Sequence, residues 1–85
     1  MHKTILITGA NKGIGFEIVR QLSRLGHEVI LTSRDEKKGV EAVRELKREN
    51  LVTHFVELDI TNEQSVRQAA KAVKDKFGKL DVLIN

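Results

Sequence analysis

Apolar positions fall into two kinds of pattern that alternate along the chain. Ile5-Leu6-Ile7, Val29-Ile30-Leu31, the Phe55-Val56 centre of His54–Leu58, and Val82-Leu83-Ile84, which Leu80 precedes, are short and apolar at successive positions. Runs of that length are strands, and continuous apolarity suits strands covered on both faces, as in a parallel sheet. Between them, apolar residues recur every three or four positions. Ile14, Ile18, Val19, Leu22 and Leu25 do so over residues 13–25, and Val40, Val43 and Leu46, with Ala42 beside them, on a stretch ending near Glu49. Val66, Ala69, Ala70, Val73 and Phe77 do so over 62–77. Each predicts an amphipathic helix with one face on a sheet.

Polar and glycine residues punctuate these elements. Gly26 and Gly78 stand where the first and third helices end, as C-terminal caps. Ser33 or Asp35 caps the second helix, and Asn50 begins its exit loop. Thr61-Asn62-Glu63-Gln64 matches a capping box, with Thr61 as N-cap and Gln64 reaching back. Glu41 with Arg44 and Glu45 with Arg48 are i,i+3 pairs on a solvated face. The order β-α-β-α-β-α-β with short connections predicts an α/β fold, a doubly wound parallel sheet joined by right-handed crossovers. The expected strand order is 3-2-1-4, a partial Rossmann-type sheet over residues 1–85. Ligands of such sheets lie beyond the carboxyl ends of the strands where the order reverses. Those ends carry Gly9, Ser33-Arg34, Asp59 and Asn85.

The first of these ends has the chemistry of an anion site. Gly9, Gly13 and Gly15 follow Thr4–Ile7 in a GxxxGxG spacing, where a missing Cβ permits a sharp turn, close approach of a ligand and close packing of helix on strand. The unpaired N–H groups and dipole of the following helix favour an anion, for which a diphosphate is the natural candidate. A dinucleotide domain that prefers NAD usually ends its second strand with a carboxylate bound to the ribose hydroxyls, which repels a 2′-phosphate. Here Ser33-Arg34 occupies that end. Arg34 offers a planar fork matched to phosphate, and Lys12 a point charge. Asp35, twenty residues past Gly15, leaves an NAD-type acid open. We read it as the helix cap.

Composition narrows the picture. The 85 residues make one domain with a modest core and marginal stability. There is no cysteine and no apolar stretch of membrane-spanning length, so we expect a soluble, cytoplasmic protein. Fifteen basic and 12 acidic residues are interleaved, net +3, with no basic block, and three Phe without Tyr or Trp offer few stacking platforms, which argues against nucleic acid as a partner. His2, His27 and His54 have no metal-ligand spacing.

TGANKGIG at 8–15, SR at 33–34, LDIT at 58–61 and LDVLIN at 80–85 together resemble the short-chain dehydrogenase/reductase family over the whole chain. Asn11-Lys12 and Arg34 look most like its carbonyl-reductase branch, which implies NADPH as cofactor. The resemblance implies a cofactor site built from Gly9, Asn11, Lys12, Gly13, Ile14 and Gly15 of the turn, Ser33 and Arg34, Asp59 at the adenine amino group with Ile60 near the ring, and Asn85, the first Asn of the family's NNAG motif. Turn chemistry before a capping Thr is the other reading of Asp59. The family's reaction uses a Tyr acid, a Lys one turn further on and a Ser, all from the later half of its chain; this sequence has no tyrosine.

The expectation is therefore the NADP(H)-binding portion of a reductase, excised or truncated, whose parent reduces a carbonyl by hydride transfer while this chain binds without catalysing. The rival is a small stand-alone or engineered α/β domain that binds a nucleotide or self-associates. A flavodoxin-like module is disfavoured, since nothing resembles its phosphoacceptor or flavin loops. In the family's architecture the first two helices share one face and the third lies on the other beside later helices. Alone there, it would leave apolar surface open, and 82–84 would be an edge strand, so self-association through that edge or the 62–77 helix is expected.

Overall fold

The computed structural model describes residues 2–85. It contains β1 (Thr4–Ile7), α1 (Gly13–Arg24), β2 (Glu28–Ser33), α2 (Glu36–Arg48), β3 (His54–Glu57), α3 (Glu63–Phe77) and β4 (Val82–Ile84). The strands form one parallel sheet in the order β3-β2-β1-β4. This is the α/β, Rossmann-type arrangement expected from the hydrophobic pattern.

Register and the two-residue period of the strands assign the faces. Ile5 lies level with Val29 and Val82, and Ile7 with Leu31 and Ile84. These six side chains share one face, where α1 contributes Val19 with Phe16, Ile18 and Leu22, and α2 contributes Ala42 and Leu46. Leu6 and Ile30 point to the opposite face and meet Val73, Val56, Leu58 and Phe77 under α3. The first face holds the larger core. Beside α3, Leu6, Leu58, Val66, Ala69, Ala70, Val73, Leu80 and Leu83 line an open groove of about 380 Å³.

Local departures from the expected boundaries have identifiable causes. β2 runs from Glu28 to Ser33, beyond its apolar centre, because Thr32 and Ser33 pair with Val56 and Glu57 of β3. Both are buried, and the Thr32 hydroxyl donates to the Ile7 carbonyl at 3.0 Å, so the polar atom is satisfied. β3 ends at Glu57, while the Leu58 N–H still donates to the Ser33 carbonyl.

All three helices leave part of the expected stripe exposed. On α1, Ile14 in the first turn is 81% exposed and Leu25, the C-cap residue, 71%, and Phe16 packs on the core instead. On α2 the buried positions are Gly39, Ala42 and Leu46, whereas Val40 is exposed. The displacement follows from Phe55. A Cβ at Gly39 would lie 2.0 Å from its ring, so the ring occupies the space that a side chain would need. On α3, Val66 and Ala70 are exposed, and Ala69 and Val73 are buried.

The caps settle two alternatives. Asp35 is the N-cap of α2, its Oδ1 accepting from the Lys38 N–H at 3.2 Å. Ser33 instead accepts from the Asp35 N–H at 3.1 Å. On α3 the N-cap is Asn62 rather than Thr61, with its Oδ1 accepting from the Ser65 N–H at 3.0 Å. Thr61 instead bonds two positions back, to Asp59. Asn50, at φ 64°, turns the chain out of α2 as expected.

Polar contacts tie the elements together at their edges. The Thr4 N–H donates to Asp81 Oδ2 at 2.8 Å and the Asp81 N–H to the Thr4 carbonyl at 2.9 Å, which fixes β4 against β1. His54 Nε2 lies 2.9 Å from Glu28 Oε1, its ring edge-on to Phe77, and His27 Nδ1 accepts from the Lys3 N–H. Arg20 stacks over Phe16, pairs with Glu17 and donates from Nε and Nη2 to both oxygens of Glu49, the C-cap of α2, at 2.9–3.1 Å. The Arg20 bonds hold the Glu49 carboxyl below its ordinary value of 4.5.

A carboxyl whose folded pKa is depressed stabilises the fold fully above its unfolded value, and that contribution is lost as pH falls through the folded one. Glu49→Gln should therefore lower the thermal midpoint at neutral pH, with the gap to the parent constant down to about pH 5 and closing in more acid solution. Circular-dichroism melts across that series check this; a gap that persists unchanged at pH 2 would contradict it.

Candidate functional site

The carboxyl ends of β1, β2 and β3 open on one side of the sheet, and the turn between β1 and α1 forms the wall of that opening. Gly9 and Gly13 adopt φ of +57° and +68°, left-handed values that cost other residues about 1–2 kcal/mol. Gly15 serves a different purpose. A Cβ there would stand 3.1 Å from the Ala10 Cα and 3.2 Å from the Gly9 carbonyl oxygen, so the first turn of α1 packs directly on the loop backbone. The loop is anchored from β2, since the Ala10 N–H donates to the Thr32 carbonyl at 2.9 Å. Lys12 is the N-cap of α1, in extended conformation and without a side-chain cap, so the first-turn N–H groups are available to an outside acceptor.

Thr8, Gly9, Asn11, Ser33, Arg34, Leu58, Asp59, Ile60 and Thr61 line a concavity of about 350 Å³. Six of the eleven residues singled out from the sequence meet here: Gly9, Asn11, Ser33, Arg34, Asp59 and Ile60. Lys12, Gly13, Ile14 and Gly15 continue the same turn outside that lining, and Asn85 follows the end of β4. Thr8, Leu58 and Thr61 are additions that sequence reasoning did not assign to the site. The Thr8 hydroxyl lies 3.2 Å from Asn85 Oδ1 and 3.4 Å from the Ile84 carbonyl, linking the glycine turn to the end of β4. Its signal was the Thr that opens TGANKGIG, and that of Thr61 was the last position of LDIT.

Charge is arranged simply. Among the described residues the Arg34 guanidinium and the Lys12 ammonium have no hydrogen-bond or ion-pair partner, and both side chains are exposed. The Asp35 carboxylate, which could have opposed an anion, is engaged in capping α2. Asp59 is held below its ordinary value of 3.8, first by the Thr61 hydroxyl, then by the Thr61 N–H, and further by the charge of Arg34. It is therefore an anion at neutral pH and accepts hydrogen bonds only. Ile60 beside it is 67% exposed.

The residues fit a dinucleotide: a glycine turn with free helix N–H groups suits a diphosphate, unpaired cations suit a further phosphate, and an apolar side chain next to an acceptor suits a base. Among the described residues no three His, Cys, Asp or Glu side chains gather as a metal site, and no helix is long and apolar enough to cross a membrane.

Fold and glycine turn define a Rossmann-like parallel sheet. The family model for short chain dehydrogenase matches residues 3–85, and the chain belongs to that family of oxidoreductases. It is 55% identical to (-)-isopiperitenone reductase of Mentha piperita over 89 residues, covering 100% of this chain and 28% of that protein. To carbonyl reductase (NADPH) 1 of Rattus norvegicus it is 52% identical over 82 residues, 94% of this chain and 29% of that one. The solved menthone neomenthol reductase from Mentha piperita superposes with a TM-score of 0.93 at 43% identity, over 98% of this chain and 30% of that structure. The likeness to carbonyl reductases expected from the motifs is thus present. The chain spans less than a third of the length of these relatives.

Proposed function

We propose that residues 1–85 are the NADP(H)-binding half-domain of a short-chain oxidoreductase whose full-length form reduces a carbonyl compound. NADPH would supply the hydride. Gly9, Asn11, Gly13, Ile14 and Gly15 let the turn approach the diphosphate, whose charge the first-turn N–H groups of α1 meet. Ser33, Arg34 and Lys12 receive the 2′-phosphate, Asp59 accepts from the adenine amino group with Ile60 against the ring, and Asn85 lines the cofactor site. The observation that carries the reading is the unpartnered Arg34 at the strand end where an NAD-type acid would stand, with the equally unpartnered Lys12 at the N-cap of α1 and Asp35 tied to the Lys38 N–H. The rat relative, an NADPH carbonyl reductase, supports the same cofactor.

Losing a charge-assisted contact makes Arg34→Ala weaken NADPH about tenfold or more while leaving NADH unchanged. Calorimetric titration of the 85-residue chain with both dinucleotides checks this, and equal weakening of the two would overturn the assignment.

Turnover is assigned to the longer parent, because these residues contain no tyrosine to serve as the acid. The purified chain, given NADPH and a carbonyl compound, should show no loss of absorbance at the reduced-nicotinamide band beyond a buffer blank. Oxidation that survives repurification would refute this.

A second reading, a self-associating α/β domain, is favoured by Leu83, 57% exposed on β4, beside the open apolar groove along α3. Among the described residues β4 has β1 as its one strand neighbour, and an unpaired apolar edge is a template for another chain. Sedimentation velocity should show association that rises with concentration and is reduced by Leu83→Lys. A monomer at all concentrations would sink this reading and leave the first untouched.

A further inference from the structure

The corner between β3 and α3 is held more firmly than a surface turn requires. Asp59 uses nearly every polar atom it has within the corner. Its N–H donates to Ser65 Oγ at 2.9 Å, and its carbonyl accepts from the Asn62 N–H at 3.0 Å. Its Oδ1 accepts twice from Thr61, from the N–H at 3.0 Å and from the hydroxyl at 2.6 Å. Among the described residues Oδ2 has no hydrogen bond. Ser65 belongs to α3 and is fixed in turn by its own N–H on the Asn62 side chain. The corner is thus clamped from two directions: Thr61 turns the carboxylate so that one oxygen is saturated and the other open, and Ser65 locks the backbone to the first turn of α3. Between the clamped residues, Ile60 is left exposed at the rim of the concavity.

An isolated Asx turn would need only the Thr61 N–H. The additional hydroxyl on the same oxygen and the serine from the next helix both act on the residue that faces the concavity. Resting on the reading that Asp59 and Ile60 receive the adenine, we propose that Thr61 and Ser65 are positioning residues for the cofactor, Thr61 orienting the Asp59 carboxylate and Ser65 the backbone that carries Asp59 and Ile60. Ser65 lies outside the lining of the concavity, so its effect reaches the base through the backbone of Asp59.

The test pairs a measurement without ligand and one with it. In the free chain, the carbon-13 carboxyl resonance of Asp59 should titrate at higher pH in Thr61→Val than in the parent, and at the parent's value in Thr61→Ser. With ligand, Thr61→Val and Ser65→Ala should weaken NADPH about threefold to tenfold, with Thr61→Ser close to the parent. Thr61→Val should leave unchanged the affinity for the hypoxanthine analogue of NADPH, which lacks the amino donor. In an Asp59→Ala background, Thr61→Val should have no further effect, since a residue acting through Asp59 has nothing left to position.

If Asp59→Ala weakens NADPH while Thr61→Val does not, the positioning role is overturned and the cofactor reading stands. If Asp59→Ala leaves NADPH affinity unaltered, the adenine assignment falls, and the positioning proposal with it, even where the Asp59 titration moves. An Asp59 resonance that titrates identically in the parent and Thr61→Val overturns the role of Thr61 whatever the ligand data show.

Discussion

The pairing of β1 with β2 is the interaction on which the remainder of the structure depends. Its register places Ile5 and Ile7 level with Val29 and Leu31, which builds the larger core face, and the same register brings the glycine turn alongside the end of β2. Two bonds carry the pairing past the last apolar residue: the Thr32 hydroxyl on the Ile7 carbonyl, and the Ala10 N–H on the Thr32 carbonyl. A buried hydroxyl in the middle of a sheet is stable only if bonded, and here its bond also fixes where the loop leaves the strand. Gly9 and Arg34 consequently line one concavity although 25 positions separate them in sequence.

The two faces of the sheet are unequal, and the inequality bears on function. Helices α1 and α2 cover one face jointly and are latched by Arg20 on Glu49, so the turn that begins α1 sits on a rigid base. Among the described residues the opposite face has α3 alone over Leu6 and Ile30, with apolar surface open beside it. Yet the polar contacts at the start of α3 hold Asp59 and Ile60. A helix packed on one side only can still position a corner accurately, because hydrogen bonds at its first turn reach only two to six residues along the chain and need no core behind them.

Which residues form elements, and in which order, was legible in the sequence because burial on both faces demands continuous apolar runs and burial on one face demands a helical stripe. That is why Ile5-Leu6-Ile7 and the 62–77 pattern led directly to strand, helix and strand order, and why the glycine spacing with Ser33-Arg34 marked the site. Short-range competition was not legible. Thr61 and Asn62 are both good caps, and the hydroxyl went to Asp59, leaving the cap to Asn62. Val40 was a reasonable stripe residue until the ring of Phe55 took the space at Gly39. Ile14 and Leu25 kept helical spacing but lie at the first turn and past the last, beyond the reach of the sheet. Apolar and polar pattern is a property of single residues and their neighbours in sequence, so the chain by itself determined the α/β class, the topology and the residue types of the site. Which of two equivalent caps is used, which apolar residue is covered, and that Ser65 reaches Asp59 depend on distances between elements, and those exist only once the sheet and its helices have packed.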